Sequence, residues 1–141
     1  MYSAFDLERF VTAQEKQYPA ALAEIKNGRK ESHWMWFVFP QIDGLGLSSL
    51  SKKYAIKSRR EAVAYLQHSV LGPRLIEITE VLLGVEGRSV QEIMGSPDYL
   101  KLKSCMTLFA LVSHEDSLFQ RVLDKYFDGE PDERTVDLLD E

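Results

Sequence analysis

Apolar residues recur along this chain at three- and four-residue steps, broken by glycine, proline and short polar stretches, and almost nowhere in strict alternation. Leu7, Phe10 and Val11 open a first helical stripe. Pro19 suits the first turn of a second helix, with Leu22 and Ile25 on one face and Asn27-Gly28 as its stop. Ser32 predicts a cap for a helix from His33 to Phe39, which Pro40 ends. Gly44-Leu45-Gly46 reads as a loop, and Ser48 to Ile56 as a short helix. Ser58-Arg59-Arg60-Glu61 matches a capping box ahead of Ala62, Tyr65 and Leu66. Leu71, Leu75, Ile78 and Leu82 continue as a stripe that stops at Gly84.

The later half repeats these signals. Ser89-Val90-Gln91-Glu92 is a second capping box, opening a short helix that Gly95 closes. Ser96-Pro97-Asp98 predicts a cap, a proline at the first helical position and an acid at the positive end of the dipole. From Cys105 to Val112 only Thr107 is polar, so this helix is apolar nearly all round and belongs in the middle of the fold. Leu118, Phe119, Val122, Leu123, Tyr126 and Phe127 form another amphipathic helix, stopped at Gly129, and Asp132 predicts a cap for a last one through Leu139. The pattern predicts an all-α, compact single domain over residues 1–141, with about eight short helices around one central apolar helix.

Composition narrows the setting. A length of 141 residues with 45% hydrophobic content supports one core without staples. One cysteine, Cys105, permits no intrachain disulfide and no cysteine-rich metal site, which suits a reducing compartment. The N-terminal residues Met1 to Asp6 lack the basic-then-apolar pattern of a signal peptide, and no apolar run approaches the ~20 residues of a membrane span. A cytoplasmic location and no membrane partner are therefore expected.

The net charge of −5 hides an uneven distribution. Residues 128–141 form an acidic segment with seven acids and one base, Arg134, so the remainder is nearly balanced. Residues 26–60 carry eight bases against two acids. Inside that basic zone lies Arg29-Lys30-Glu31-Ser32-His33-Trp34-Met35-Trp36-Phe37-Val38-Phe39-Pro40-Gln41, which holds both tryptophans. Aromatic rings stack on planar ligands and neighbouring cations hold anions, so an anionic small molecule is the natural partner. A dedicated nucleic-acid binder is usually basic overall, which argues against that class. The plainer reading is a set of solvated lysines.

No motif asks for a cofactor or a metal. Gly44-x-Gly46 lacks the third glycine and the preceding strand of a dinucleotide fingerprint, and His33, His68 and His114 have no ligand spacing. His33, placed in the first turn of its predicted helix, is a candidate proton carrier, since the helix dipole there favours a neutral imidazole. Completing the cap or packing beside Trp36 and Phe37 is its plainer role. Trp34 and Trp36 point about 200° apart on an ideal helix, so one belongs to the core and the other to a stacking surface. Lys101, one turn after Asp98 and followed by Ser104 and Thr107, can grip a phosphate or attack an aldehyde-like sugar carbon. A surface ion pair with Asp98 is its alternative role. Arg29, Lys30, Trp34, Trp36 and Gln41 are ligand-binding candidates from the aromatic run, and Tyr54, Tyr65 and Arg74 can complete a pocket. Glu61 is accounted for by its capping box.

These residues resemble a known family. Gly28-Arg29-Lys30-x-Ser32-His33-Trp34-Met35-Trp36-Phe37-Val38-Phe39-Pro40-Gln41, Gly44-Leu45-Gly46, Tyr54-Ala55-Ile56, Glu61-Ala62-x-x-Tyr65-Leu66-x-His68, Leu71-Gly72-x-Arg74-Leu75, Lys101-x-x-Ser104-x-Met106-Thr107-Leu108-Phe109 and Asp132-x-x-Thr135 are similar to the bacterial domain of unknown function numbered eighteen-ten, some members of which carry a calpastatin label. The likeness runs from about Leu7 to Leu139 and implies a small helical bacterial domain, with no activity or catalytic residues to transfer. A packed helical domain does not look like a disordered calpain inhibitor. A more distant likeness is to the helical NADAR proteins, related to the YbiA type, which act on N-glycosidic bonds of ADP-ribosyl or phosphoribosyl compounds. Lys103-Ser104-Cys105-Met106 follows their later helix, whereas Ser32 precedes His33 where those proteins have a Glu-His pair. Two functions of different class follow. One is binding or processing of a nucleotide-sugar, ADP-ribose or phosphoribosyl compound, as an N-glycosidic-bond hydrolase, with His33 and Lys101 as catalytic candidates. The other is a non-catalytic interaction or ligand-sensing module.

Overall fold

The computed structural model describes residues 5–46 and 48–140. The expectations placed on Met1 to Ala4 and on Glu141 lie outside them. Nine helices follow one another among the described residues: α1 (Glu8–Lys26), α2 (Met35–Val38), α3 (Ser49–Lys53), α4 (Arg59–Gln67), α5 (Leu71–Leu83), α6 (Val90–Met94), α7 (Asp98–Leu111), α8 (Leu118–Tyr126) and α9 (Glu133–Leu139). The fold is all-α. The described residues contain no strand, only one isolated parallel bridge between Ile42 and Ile56.

α7 lies where its apolar composition places it. Leu102, Cys105, Met106, Leu108 and Phe109 are fully buried, and α6, α8 and α9 pack around it. The polar residues of this helix are absorbed locally. Ser104 Oγ donates to the Leu100 carbonyl at 3.2 Å and Thr107 Oγ1 to the Lys103 carbonyl at 2.8 Å. Thr107 Oγ1 also accepts the Asp132 N–H at 2.9 Å, tying the start of α9 to the central helix. The polar trail that accompanies Lys101 along the sequence is therefore structural.

Several helix ends follow their sequence signals. Ser89 and Glu92 make both bonds of a capping box on α6, and Asp132 caps α9 through the Thr135 N–H. Ser58 caps α4 through the Glu61 N–H, yet the Glu61 carboxylate reaches one residue further than a capping box does. It accepts the Lys57 N–H at 2.7 Å and pairs with Arg9 of α1 at 3.0 Å, fully buried.

Other expectations are corrected. The two N-terminal helices are one, α1, with Pro19 inside it. Proline removes one helical hydrogen bond, but Pro19 and Glu15, the residue whose carbonyl loses it, both lie on the exposed face. Burial of Phe10, Val11, Gln14, Tyr18, Ala21 and Ile25 along the other face holds the helix continuous. The helix expected from His33 to Phe39 covers only Met35–Val38, because Ser32 is engaged by Glu24 and does not cap it. The helix expected over Ser48 to Ile56 stops at Lys53, since Ile56 exchanges backbone bonds with Gln41 and Asp43 at 2.8 Å each. α7 begins at Asp98 after a cis Ser96–Pro97 bond and has no side-chain cap.

Candidate functional site

The site starts from the way α1 ends. Gly28, at φ +75°, accepts the left-handed turn that L side chains avoid. Its N–H bonds to the Ile25 carbonyl at 2.8 Å and the Arg29 N–H to the Glu24 carbonyl at 3.0 Å, a Schellman ending. The turn swings the chain back over Glu24. That carboxylate then accepts four bonds: from the backbone N–H groups of Glu31 (2.7 Å) and Ser32 (2.8 Å), the Ser32 hydroxyl (2.6 Å) and the Trp34 indole N–H (2.9 Å). Lys30 N–H bonds to Ile93 of α6 at 2.7 Å. Residues 30–34 are thus held as a loop.

Glu24 is half-buried, and burial raises its pKa. The bonds from Ser32, Glu31 and Trp34 outweigh that effect and lower it from 4.5 to about 2. A group with a depressed folded pKa contributes stability that is complete above its unfolded pKa and is lost as the pH falls through the folded one. Stability is expected to decline between pH 4.5 and about 2 through this group. Solvent screening limits its share to about 1 kcal/mol. Denaturant titrations across this range should show a shallower acid slope in Glu24→Gln, and a slope equal to the parent's would contradict the assignment.

The clasp separates the two tryptophans. Trp34 is fully buried, against Phe39 at 6.1 Å between ring centroids. Trp36 is partly exposed and lines a cavity of about 310 Å³ with Gln41, Leu45, Gly46, Ser48, Ser51 and Lys101. Three candidates meet here, Trp36 and Gln41 from the aromatic run and Lys101 from α7. The Lys101 ammonium lies over the Trp36 ring, 5.1 Å from its centroid. Lys30 repeats the arrangement over Trp34 at 4.9 Å. Asp98 stands between the two cations, with Oδ2 at 2.8 Å from Lys30 Nζ and Oδ1 at 3.6 Å from Lys101 Nζ.

This sharing is unequal. Lys30 is only 7% exposed and also donates to the Ser32 carbonyl, so it is locked into the structure. Lys101 is 29% exposed, and its distance to Asp98 exceeds that of a hydrogen bond. The ion pair expected as its alternative role is present but loose. An incoming anion can take over its donors while Asp98 stays neutralised by Lys30. Ser48 and Ser51, which also line the cavity, brace the start of α3 with hydroxyl oxygens 2.9 Å apart.

The other sequence candidates lie elsewhere. His33 is exposed, precedes α2 and does not line the Trp36 cavity, so it lacks the helix-end position expected for it. Arg29 contributes its backbone to the Schellman turn and exposes its side chain. Trp34 has no exposed surface for stacking a ligand. Tyr54 is buried against Phe10 and Phe37, 5.9 and 5.4 Å away. Arg74 stacks over the Tyr18 ring at 5.2 Å and reaches Gln14 Oε1 at 3.4 Å. It belongs to an α1–α5 network that includes the buried Tyr65 hydroxyl, bonded to Gln14 at 3.1 Å. Burial first, then Glu77, hold the Tyr18 phenol well above its ordinary pKa. The residue the sequence reading missed is Glu24. An acid in the last turn of a helix is disfavoured by the dipole, which is the signal that it serves something beyond α1.

Among the described residues no group of three His, Cys, Asp or Glu side chains is placed to hold a metal ion. No described helix is long and apolar enough to cross a membrane.

Comparison with known proteins gives kinship without an activity. No curated protein matches the chain. The crystal structure of the conserved hypothetical protein Rv1873 from Mycobacterium tuberculosis is 52% identical in sequence and superimposes with a TM-score of 0.96, over 99% of each chain. The family model described as "Protein of unknown function (DUF1810)" matches residues 4–139. The chain belongs to the DUF1810 family of proteins of unknown function.

Proposed function

We propose that this protein binds a small anionic ligand with a planar or sugar group, of the nucleotide-sugar, ADP-ribose or phosphoribosyl class, in the Trp36–Lys101 cavity. The observation that carries the reading is the meeting of a partly exposed indole and a loosely paired ammonium in one cavity. The indole offers an apolar planar wall and the ammonium an anchor for phosphate. At about 310 Å³ the cavity is at the small end of ligand pockets, with room for the phosphoribosyl part of such a ligand while the rest of a larger one lies outside it.

Binding is favoured over catalysis. The cavity's lining residues include no carboxylate and no imidazole to move a proton, and His33 is not among them. Hydrolysis of an N-glycosidic bond would rest on Lys101 alone, acting as a nucleophile on the sugar carbon.

A thermal-shift titration against ribose 5-phosphate, AMP, NAD and ADP-ribose tests the proposal. A ligand at a hundredfold excess over Kd stabilises the folded state by about 2.7 kcal/mol, a rise in Tm on the order of 8–10 °C for a domain of this size. Lys101→Met and Trp36→Leu should each abolish most of that rise while leaving the ligand-free Tm within a few degrees. Absence of a shift across the panel, or an equal shift in both variants, would move the reading to a non-catalytic interaction module.

A further inference from the structure

The loop at residues 41–46 divides its side chains between two cavities. Gln41, Leu45 and Gly46 line the Trp36 cavity, whereas Ile42, Asp43 and Gly44 line a second one of about 670 Å³. The first turn of α4 and the end of α9 complete the second cavity. Ile42 and Leu139 are buried and, with Leu138, give it an apolar side. Lys57, Arg59 and Arg60 give it a cationic one.

The cations are incompletely used. The Arg60 side chain makes no hydrogen bond, ion pair or ring contact with any described residue. Arg59 uses one guanidinium nitrogen, Nη1, on the Leu111 carbonyl at 3.2 Å. Lys57 lies 3.6 Å from Asp43, the one acid among the lining residues, and 3.3 Å from the Lys52 carbonyl. Three cations against one carboxylate leave an excess of two positive charges, which matches a phosphate monoester near pH 7. Guanidinium groups on successive residues offer planar pairs of donors suited to phosphate oxygens. No aromatic ring lines the cavity, so nothing there stacks a base.

We propose that this cavity is a second anion site, separate from the Trp36 cavity, that takes a sugar phosphate. Arg59, Arg60 and Lys57 hold the phosphate, and the Ile42, Leu138 and Leu139 side takes the carbon skeleton. The site needs neither Lys101 nor Trp36, so it stands or falls independently of the function proposed above.

An amide-resolved NMR titration of the full chain with glucose 6-phosphate tests it, with glucose and sulfate as controls. Support is a saturable shift at Gly44, Ser58, Arg59, Arg60, Leu138 and Leu139, with Kd raised about tenfold in Arg60→Ala. Because Arg60 is exposed and unpartnered, the variant should otherwise keep the parent spectrum. Four results would overturn the proposal. Shifts confined to Gln41, Gly46, Ser51 and the Trp36 indole would place the ligand in the other cavity. Absence of saturable shifts at millimolar ligand would leave the cavity without this ligand. An Arg60→Ala Kd equal to the parent's would remove the phosphate anchor. Equal affinity for sulfate would reduce the effect to ion attraction.

Discussion

Trp34→Ala is expected to cost about 3–5 kcal/mol of stability, whereas Trp36→Ala should cost about 1 kcal/mol and weaken the proposed ligand binding instead. The two residues are chemically identical and two positions apart, so the contrast measures tertiary placement alone. Trp34 is fully buried, contacts Phe39, carries the Lys30 ammonium over its face and donates its indole N–H to Glu24. Truncation removes the area, leaves a cavity the size of an indole and deprives Glu24 of one of its four donors. Trp34→Phe should recover most of the packing but not the hydrogen bond, and fall between the parent and alanine. Denaturant midpoints at pH 7 check the series. A Trp34→Ala midpoint close to that of Trp36→Ala would show that the clasp around Glu24 does not hold the aromatic run as described.

Gly72→Ala is expected to destabilise the protein by about 3 kcal/mol, the upper end of the usual overpacking range. A Cβ on Gly72 would stand 2.1 Å from the Leu66 carbonyl oxygen and 3.0 Å from its carbon. Both are backbone atoms of α4, so no side-chain rotation relieves the contact. The corner is tight because the His68 imidazole Nδ1 accepts the Val70 and Leu71 N–H groups at 3.1 and 3.2 Å and draws the start of α5 against the end of α4. α5 also packs on α1 and α8, which leaves it little room to withdraw. Gly84→Ala is the matched control, since Gly84 has φ −80° and its Cβ would meet nothing nearer than 3.4 Å. Thermal unfolding of the two variants checks the argument. Equal Tm values would refute the close approach at Gly72.

The helix signals that proved readable are those decided within four or five residues. The Ser89–Glu92 capping box, the Asp132 cap and the glycines after α1, α5, α6 and α8 act through bonds to their own backbone, so neighbours in sequence are enough to foresee them. The expectations that failed were overridden by distant residues. Ser32 has the composition of a helix cap, yet Glu24 engages both its N–H and its hydroxyl, and the loop persists where a helix start was expected. Pro19 has the composition of a helix start, yet the buried face of α1 runs straight past it.

The candidate site divides in the same way. Aromatic density, basic excess and the Lys101 position were visible as residue types, because stacking surfaces and anion anchors require those side chains wherever they fall. That one tryptophan would enter the core and the other would not was visible too, although Trp34 lies just before α2 and not on it. Which tryptophan enters the core was not, since both faces of the short run are apolar. The clasp at Glu24 decides it, ten residues earlier in the chain.

The sequence by itself determined an all-α chain, the central place of α7, most helix ends and the residue types of the candidate site, because periodicity and capping are local properties. Only the tertiary structure decided that Trp36, Gln41 and Lys101 share a cavity, that Trp34, Tyr54 and Arg74 do not, and that Asp98 holds Lys30 tightly and Lys101 loosely. Those outcomes depend on which helix faces meet in space, and the meeting is set by burial of side chains from all parts of the chain at once.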